Sequence, residues 1–171
     1  MKIRIATESD IELLCEIGTK TFIETYGEQN TSDNLEKYIL KKFNKQQILY
    51  EINTPKTTFL LVELQQEVIG FAKMRVNLVE NADEKALEIE RIYINKNHHG
   101  KKYGAMLMQK CIDVAIENKY ESLWLGVWEH NPKAIMFYQK WGFEIFGKHI
   151  FQLGDDAQTD FLMRKTFTQL V

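Results

Sequence analysis

Between Leu87 and Trp128 a strand, a short basic loop, a helix and a second strand follow one another, and this order constrains the fold more than any other stretch. Leu87-Glu88-Ile89-Glu90-Arg91-Ile92-Tyr93-Ile94 sets Leu and Ile against Glu, Arg and Tyr with a period of two, the mark of a half-buried strand. Glu88 and Glu90 then share one face. His99-Gly100-Lys101-Lys102-Tyr103-Gly104-Ala105 opens a helix predicted from about Lys101 to Asn118, and Ser122 to Trp128 is the next strand. Strands joined through a helix lie parallel in one sheet, with a right-handed crossover.

The start of such a helix presents free backbone N–H groups and the positive end of its dipole, so it can hold an anion, a phosphate above all. The stretch contains neither G-x-x-x-x-G-K-[ST] nor G-x-G-x-x-G, which excludes a nucleotide P-loop and a dinucleotide fingerprint. Taken alone, the loop also reads as a purely structural turn.

The rest of the chain supplies a sheet and its cover. Lys2 to Ala6 is a first strand; Ser9 and Glu12 fit a capping box for a helix running to about Thr25. Thr31 or Ser32 caps a second helix carrying Leu35, Tyr38, Ile39 and Phe43, and Ile48, Leu49 and Ile52 predict one more short turn of helix. Thr57–Leu64 and Glu67–Val79 form a hairpin across Gln65-Gln66, with Gly70 marking a bulge, and 81–84 is a polar loop. Asn131-Pro132 starts a helix that stops at Gly142, because Asn caps and Pro suits the first helical position. Phe143–Leu153 and Thr159–Phe167 close the chain as a hairpin across 154–158. The expected class is α/β (α+β): one mixed sheet, helices on both faces, and one domain over residues 1–171, for which 44% hydrophobic content gives a sufficient core.

Asn131-Pro-Lys-Ala134-Ile-Met-Phe137-Tyr138-Gln-Lys140-Trp-Gly142-Phe143 resembles the N-x-x-A-x-x-F-Y-x-x-x-G-F motif of the GNAT superfamily of N-acetyltransferases. His99 to Ala105 resembles that family's [Gln/Arg]-x-x-Gly-x-[Gly/Ala] pyrophosphate loop, with His99 in place of Gln or Arg and Lys102 in place of the first glycine. The likeness covers nearly the whole chain and implies the GNAT fold, whose central parallel strands splay apart. Leu87–Ile94, Trp124–Trp128 and Phe151–Asp160 further resemble bacterial spermidine/spermine N-acetyltransferases associated with control of protease synthesis and sporulation.

The resemblance implies an enzyme that passes the acetyl group of acetyl-CoA directly to a primary amine, a polyamine such as spermidine or spermine. The amine must first lose a proton, and the departing thiolate must gain one. Tyr138 stands at the family's general acid, and Glu88 or Glu90 would accept the amine proton, with Glu88 at the offset of the family's base. The competing reading gives Tyr138 a packing role and the two carboxylates surface ion pairs with Arg75 or Arg91. Backbone groups of Ile92, Tyr93 and Ile94 would pair with the pantetheine arm, with the Ile92 N–H toward the thioester oxygen. His99, Gly100, Lys101, Lys102, Tyr103, Gly104 and Ala105 would hold the pyrophosphate; Asn131, Ala134, Phe137 and Lys140 complete the cofactor side. For Lys101 and Lys140 a solvated helix face is the alternative.

For the acceptor, Glu24, Tyr26, Glu28, Trp128 and Glu129 offer the carboxylates and ring faces that a cationic amine seeks, although Phe22 to Glu28 reads equally as a solvated helix end. His98, His99, His130 and His149 match no standard metal spacing, so no metal is expected. A net charge of −2 excludes a general attraction to nucleic acid or anionic membrane. No run approaches the ~20 apolar residues of a membrane span, the start lacks a signal-peptide core, and Cys15 and Cys111 fall on apolar stripes; a reduced, cytoplasmic protein is expected. An open sheet edge is compatible with a homodimer. Two other functions stay open: a CoA-binding sensor without chemistry, prompted by His99 and Lys102, and acetylation of a protein amino terminus or lysine.

Overall fold

The computed structural model describes residues 1–78 and 83–167. Alternation along the strands decides which side chains go to which face. In β1 (Lys2–Ile5), β2 (Thr57–Leu64), β3 (Glu67–Arg75), β4 (Ala86–Ile94), β5 (Ser122–Trp128), β6 (Glu144–Leu153) and β7 (Asp156–Thr166) the order across one seven-stranded sheet is β1-β2-β3-β4-β5-β7-β6. Only β4 and β5 pair in parallel; the other neighbours are antiparallel, so the sheet is mixed, as the strand-helix-strand unit requires.

Leu60, Val62, Ile69, Ala72, Met74, Leu87, Ile89, Leu123 and Leu125 turn to one face and meet Leu107, Met108, Cys111, Ile112 and Ala115 of α4 (Tyr103–Glu117). Burying each Leu, Ile or Met of this kind stabilises the fold by roughly 1.5–3 kcal/mol. Ala134, Ile135, Phe137 and Tyr138 of α5 (Pro132–Lys140) pack against the same cluster. Phe59, Leu61 and Phe71 turn the other way and meet Leu14, Ile17 and Phe22 of α1 (Ile11–Tyr26), Leu35 of α2 (Ser32–Lys42) and Ile48 of α3 (Lys45–Ile52). Helices therefore cover both faces.

Several expectations need adjustment. The box of Ser9 and Glu12 does not form: a turn of 3-10 helix at Glu8–Asp10 precedes α1, and the Asp10 carboxylate accepts the Thr7 N–H at 2.8 Å. Glu12 instead pairs with Lys45. The turn expected around Ile48 to Ile52 is the separate helix α3, capped by Asn44, whose side chain accepts from the Gln47 N–H at 2.8 Å. The bulge near Gly70 falls on Ile69, since Val62 pairs with Gly70 and Glu63 with Val68. Strand β3 stops at Arg75, short of the expected end at Val79, since Val76, Asn77 and Leu78 are not in the strand; residue 79, with 81 and 82 of the polar loop, lies outside the described residues. The last hairpin turns on Gly154-Asp155 alone, Leu153 pairing with Asp156; Gly154 there has φ +59, which glycine adopts without the crowding a Cβ would bring.

A second bulge matters more. Lys73 pairs with Arg91 and Met74 with Ile89, so Glu90 is an extra residue in β4. Two adjacent polar residues, Glu90 and Arg91, interrupt the alternation there, and the strict period of two assumed along Leu87–Ile94 is broken at that point. The extra residue lets both turn toward α3, where Arg91 reaches Glu51 at 2.8 and 3.1 Å.

Candidate active site

The two parallel strands part where the bulge begins. Strand β4 pairs with β5 only from Ala86–Ser122 to Glu88–Trp124, while β5 stays in register with β7 as far as Trp128 and β4 stays on β3 as far as Ile94. Each strand thus keeps its outer neighbour and leaves its inner one. A cavity of about 820 Å³ fills the opening, and a smaller one of about 200 Å³ adjoins it; Ile92, Tyr93, Ile94, His99, Asn131, Ala134 and Tyr138 line both.

The mouth of the larger cavity is the start of α4. Gly100 and Lys102 have φ +76 and +65, so the loop winds left-handed twice before the helix begins. Lys102 takes the left-handed conformation that a glycine would adopt at lower cost, and it lines the cavity with Gly100, Tyr103, Gly104 and Ala105. A Cβ on Gly100 would meet nothing within 4 Å, and one on Gly104 would meet only Ile94 Cγ1 at 3.9 Å, so the backbone of this turn is approachable. The first-turn N–H groups have no acceptor within their own helix. His99 Nε2 lies 2.7 Å from the Ile94 carbonyl, tying the loop to the end of β4. Lys101 turns aside and donates to the Asn97 carbonyl at 3.3 Å, and Lys140 is exposed; neither lines the cavity. Phe137 does, and Asn131 caps α5 by accepting from the Ala134 N–H at 3.2 Å.

Tyr138 stands at the junction of both cavities. Burial pushes its phenol well above the ordinary value, with the Cys111 thiol adding to the effect, so it holds its proton at any working pH. Tyr93 is pushed up to about 12 and Tyr26 well above 10, in both cases chiefly by burial, and each phenol affects the other.

The two strand carboxylates divide the properties that a base needs. Both reach Arg75, as their shared face predicts; Glu88 is buried while Glu90 and Arg75 are partly exposed, so these ion pairs are half-buried rather than on the surface. Glu88 accepts from Arg75 Nε at 2.7 Å and Asn77 Nδ2 at 3.0 Å; burial raises its pKa against the opposing pull of Arg75. It sits on the last zipped pair of the parallel strands and lines neither cavity. Glu90 lines the smaller cavity and pairs with Lys73 and Arg75. Burial would raise its pKa, but Arg91, Lys73 and Arg75 outweigh that and hold it below the ordinary range.

On the acceptor side the structure separates the expected residues. Glu24 lines the larger cavity, its carboxylate accepting the Lys96 N–H at 2.8 Å, and Tyr26 lines the smaller one. Glu28 is exposed and lines neither. Trp128 stands edge-on to His130 at 5.3 Å, and Glu129 faces His130 and Lys148, each at 3.8 Å; neither Trp128 nor Glu129 lines a cavity. The sequence reading missed Thr25, Gln29, Lys96, His98, His130 and Lys133 as lining residues. Lys133, inside the α5 motif and next to its cap, was the available signal: a cation lining the same cavity as the loop before α4.

Residues 15–143 match the model of the acetyltransferase (GNAT) family. The chain belongs to this family. The acetyltransferase is 37% identical over 167 residues to an N-acetyltransferase of Lactobacillus delbrueckii subsp. lactis, covering 96% of each chain. A spermidine N(1)-acetyltransferase of Thermoplasma acidophilum is 25% identical, with 98% of each covered. Among solved structures, a PaiA N-acetyltransferase of Thermoplasma acidophilum in complex with coenzyme A superposes with a TM-score of 0.80 over 98% of this chain and 100% of that one, at 23% identity. A ribosomal-protein-alanine N-acetyltransferase of Brucella melitensis gives 0.75 at 25% identity, over 98% of this chain and all of that one.

This protein is accordingly an acetyl-CoA-dependent N-acetyltransferase, and a sensor without chemistry is set aside. The donor fits the site: an open strand edge runs into a left-handed turn whose backbone is free of side-chain crowding. Among the described residues no three His, Cys, Asp or Glu side chains cluster as metal ligands, and no helix is long and apolar enough to cross a membrane.

Proposed function

We propose that the acceptor is a primary alkylamine of the polyamine class, such as spermidine or spermine, acetylated by direct attack within a ternary complex in one catalytic unit formed by the whole chain. The observation that carries this reading is the wedge itself, whose two adjoining cavities meet beside Tyr138 and can take a donor and an acceptor. The likeness to a spermidine N(1)-acetyltransferase supports the choice of amine.

Acetyl-CoA supplies an activated acetyl thioester. On the donor side, N–H and C=O groups of Ile92 to Ile94 bind the extended pantetheine arm as an added strand would, and the Ile92 N–H stabilises charge on the thioester oxygen. The turn from His99 to Ala105 holds the pyrophosphate through its amides, with the Lys102 ammonium adding charge. Asn131, Ala134 and Phe137 flank the arm. Tyr138 donates its proton to the departing sulfur; a phenol kept neutral by burial is in the right form to do so, and its placement matters more than its acidity.

The incoming ammonium passes its proton to Glu90, which lines the acceptor cavity, directly or through water. Glu90 is a weak base when held by three cations, so it works as one member of the charged set of Glu88, Arg75 and Lys73, with the raised Glu88 carboxyl as the further proton store. Glu24 and Tyr26 line the acceptor's path. The protein acts inside the cell, and the open edges β1 and β6 allow a homodimer.

The decisive measurement is a competition assay. Spermidine, spermine, an amino-terminal peptide and a lysine peptide are mixed with acetyl-CoA and enzyme, and the products are identified by mass spectrometry while free thiol is followed. Acetylated polyamine should dominate. Acetylated peptide with untouched polyamine would overturn the substrate reading and leave the enzyme class intact.

A further inference from the structure

Among residues so far given no role, Asp160 is set apart by what lies between it and the wedge. On β7 it is 9% exposed and pairs across the hairpin with His149 of β6, whose Nε2 lies 3.6 Å from its Oδ2. Its other neighbour strand is β5, where Gly126 lines the smaller cavity. A Cβ placed on Gly126 would stand 3.2 Å from Asp160 Oδ2 and 3.3 Å from His149 Nε2. Asp160 itself lines neither cavity, but the missing side chain leaves only the Gly126 backbone between its carboxylate and the smaller one.

Two further groups converge there. The phenols of Tyr26 and Tyr93 line that cavity, and both feel the charge of Asp160. Strands β4, β6 and β7 and helix α1 therefore each send a polar group toward Gly126. The Asp160 side chain keeps 12% of its surface exposed and has His149 Nε2 at 3.6 Å, so an ammonium reaching it past Gly126 would add a charge-assisted hydrogen bond to that pair. An ammonium has three N–H donors in a small volume and suits a space lined by two phenols with a carboxylate just beyond Gly126. A methyl group on Gly126 would take part of that space.

We propose that Asp160 is a specificity-determining residue of the acceptor site, holding an ammonium group of a cationic alkylamine above Gly126, with His149 as the positioning residue for its carboxylate. This rests on the polyamine reading given above and adds the side chain that selects for positive charge.

The test is calorimetric titration of spermidine into the CoA-saturated protein, which needs no turnover. Removing a charge-assisted hydrogen bond is worth about 10- to 100-fold in affinity. Asp160→Asn should weaken spermidine by that factor and flatten the salt dependence of its binding, with CoA affinity unchanged; Asp160→Glu should recover part of the loss. Gly126→Ala, which keeps every charge and fits strand geometry, should also weaken spermidine at least tenfold without altering CoA affinity, and it decides the matter if the Asp160 variants fail to fold. Spermidine bound equally well by Asp160→Asn, or by Gly126→Ala when the Asp160 variants are unfolded, would overturn the proposal. So would a wild-type protein that binds CoA and ignores spermidine. Absence of CoA binding would count against the enzyme mechanism itself, and the same titration of CoA-free protein would still judge Asp160.

Discussion

Replacing Glu51 by Gln should destabilise the protein by about 3 kcal/mol at neutral pH and by less than half of that near pH 3. The carboxylate of this α3 residue is buried against β3 and β4, where it accepts both terminal nitrogens of Arg91, at 2.8 and 3.1 Å, Lys73 Nζ at 2.9 Å and Gln47 Nε2 at 2.9 Å. Burial alone would raise its pKa; Arg91 and then Lys73 more than reverse this and bring it from 4.5 to about 2. Since each pH unit is worth about 1.4 kcal/mol, that displacement corresponds to about 3 kcal/mol. The folded chain favours the charged form, so this stability is complete above about pH 4.5 and disappears as the pH falls through about 2. Burial pulls the Lys73 ammonium below its ordinary value even with Glu90 and Glu51 beside it, so Arg91, which stays charged, is the partner that governs Glu51. Glutamine keeps the shape and leaves two buried cations facing Glu90 alone, a situation that typically costs about 3–5 kcal/mol. For a chain of this length the loss should lower Tm by about 6–12 °C, and the urea midpoint should fall with an unchanged slope. Urea melts of both proteins at pH 7 and pH 3 make the comparison. A gap under about 1 kcal/mol at pH 7, or the same gap at both pH values, would refute the reasoning.

Tyr138→Phe should lower kcat by about 10²–10⁴ with acetyl-CoA affinity kept, and a variant with full turnover in the thiol-release assay would remove the phenol from the proton transfer. Lys102→Gly should raise Tm by about 2–4 °C, because it relieves about 1 kcal/mol of left-handed crowding at φ +65; a lower Tm would mean that the Lys102 side chain contributes more than its backbone costs. Gly70→Ala should cost several kcal/mol in a thermal melt, since its Cβ would stand 2.5 Å from both the Tyr93 carbonyl oxygen and Ile94 Cδ1, on the strand that forms one wall of the wedge. Retention of the wild-type Tm there would mean that β3 and β4 can separate without loss.

How far the site could be read in advance depended on whether its parts are local. Asn131, Pro132 and Tyr138 act within one helix: the cap, the first-turn proline and the inward face follow from residue spacing alone. The left-handed turn before α4 is equally local, and Gly100 and Gly104 mark it although Lys102 disguises it. Glu88 and Glu90 were legible as a pair on one face but not as different in kind, because that difference depends on a bulge and on Glu51, forty residues away from Arg91 along the chain. The clue to the bulge was the doublet Glu90-Arg91. Trp128 and Glu129 have the right chemistry for an amine, yet they line neither cavity.

By itself, the sequence determined the order of strands and helices, the parallel pairing enforced by the helix between β4 and β5, the glycine-marked turn before α4 and the family motif, all of which rest on hydrogen bonds and periodicities within a few residues. Only the tertiary structure decided where β4 leaves β5, which carboxylate faces the cavity, and that Gly126 and Asp160 meet beside Tyr26 and Tyr93. Those outcomes depend on the register of the strands and on the charges buried between the sheet and α3. Both are set by packing between distant segments, where a one-residue slip in β4 is enough to turn a polar side chain from one face of the sheet to the other.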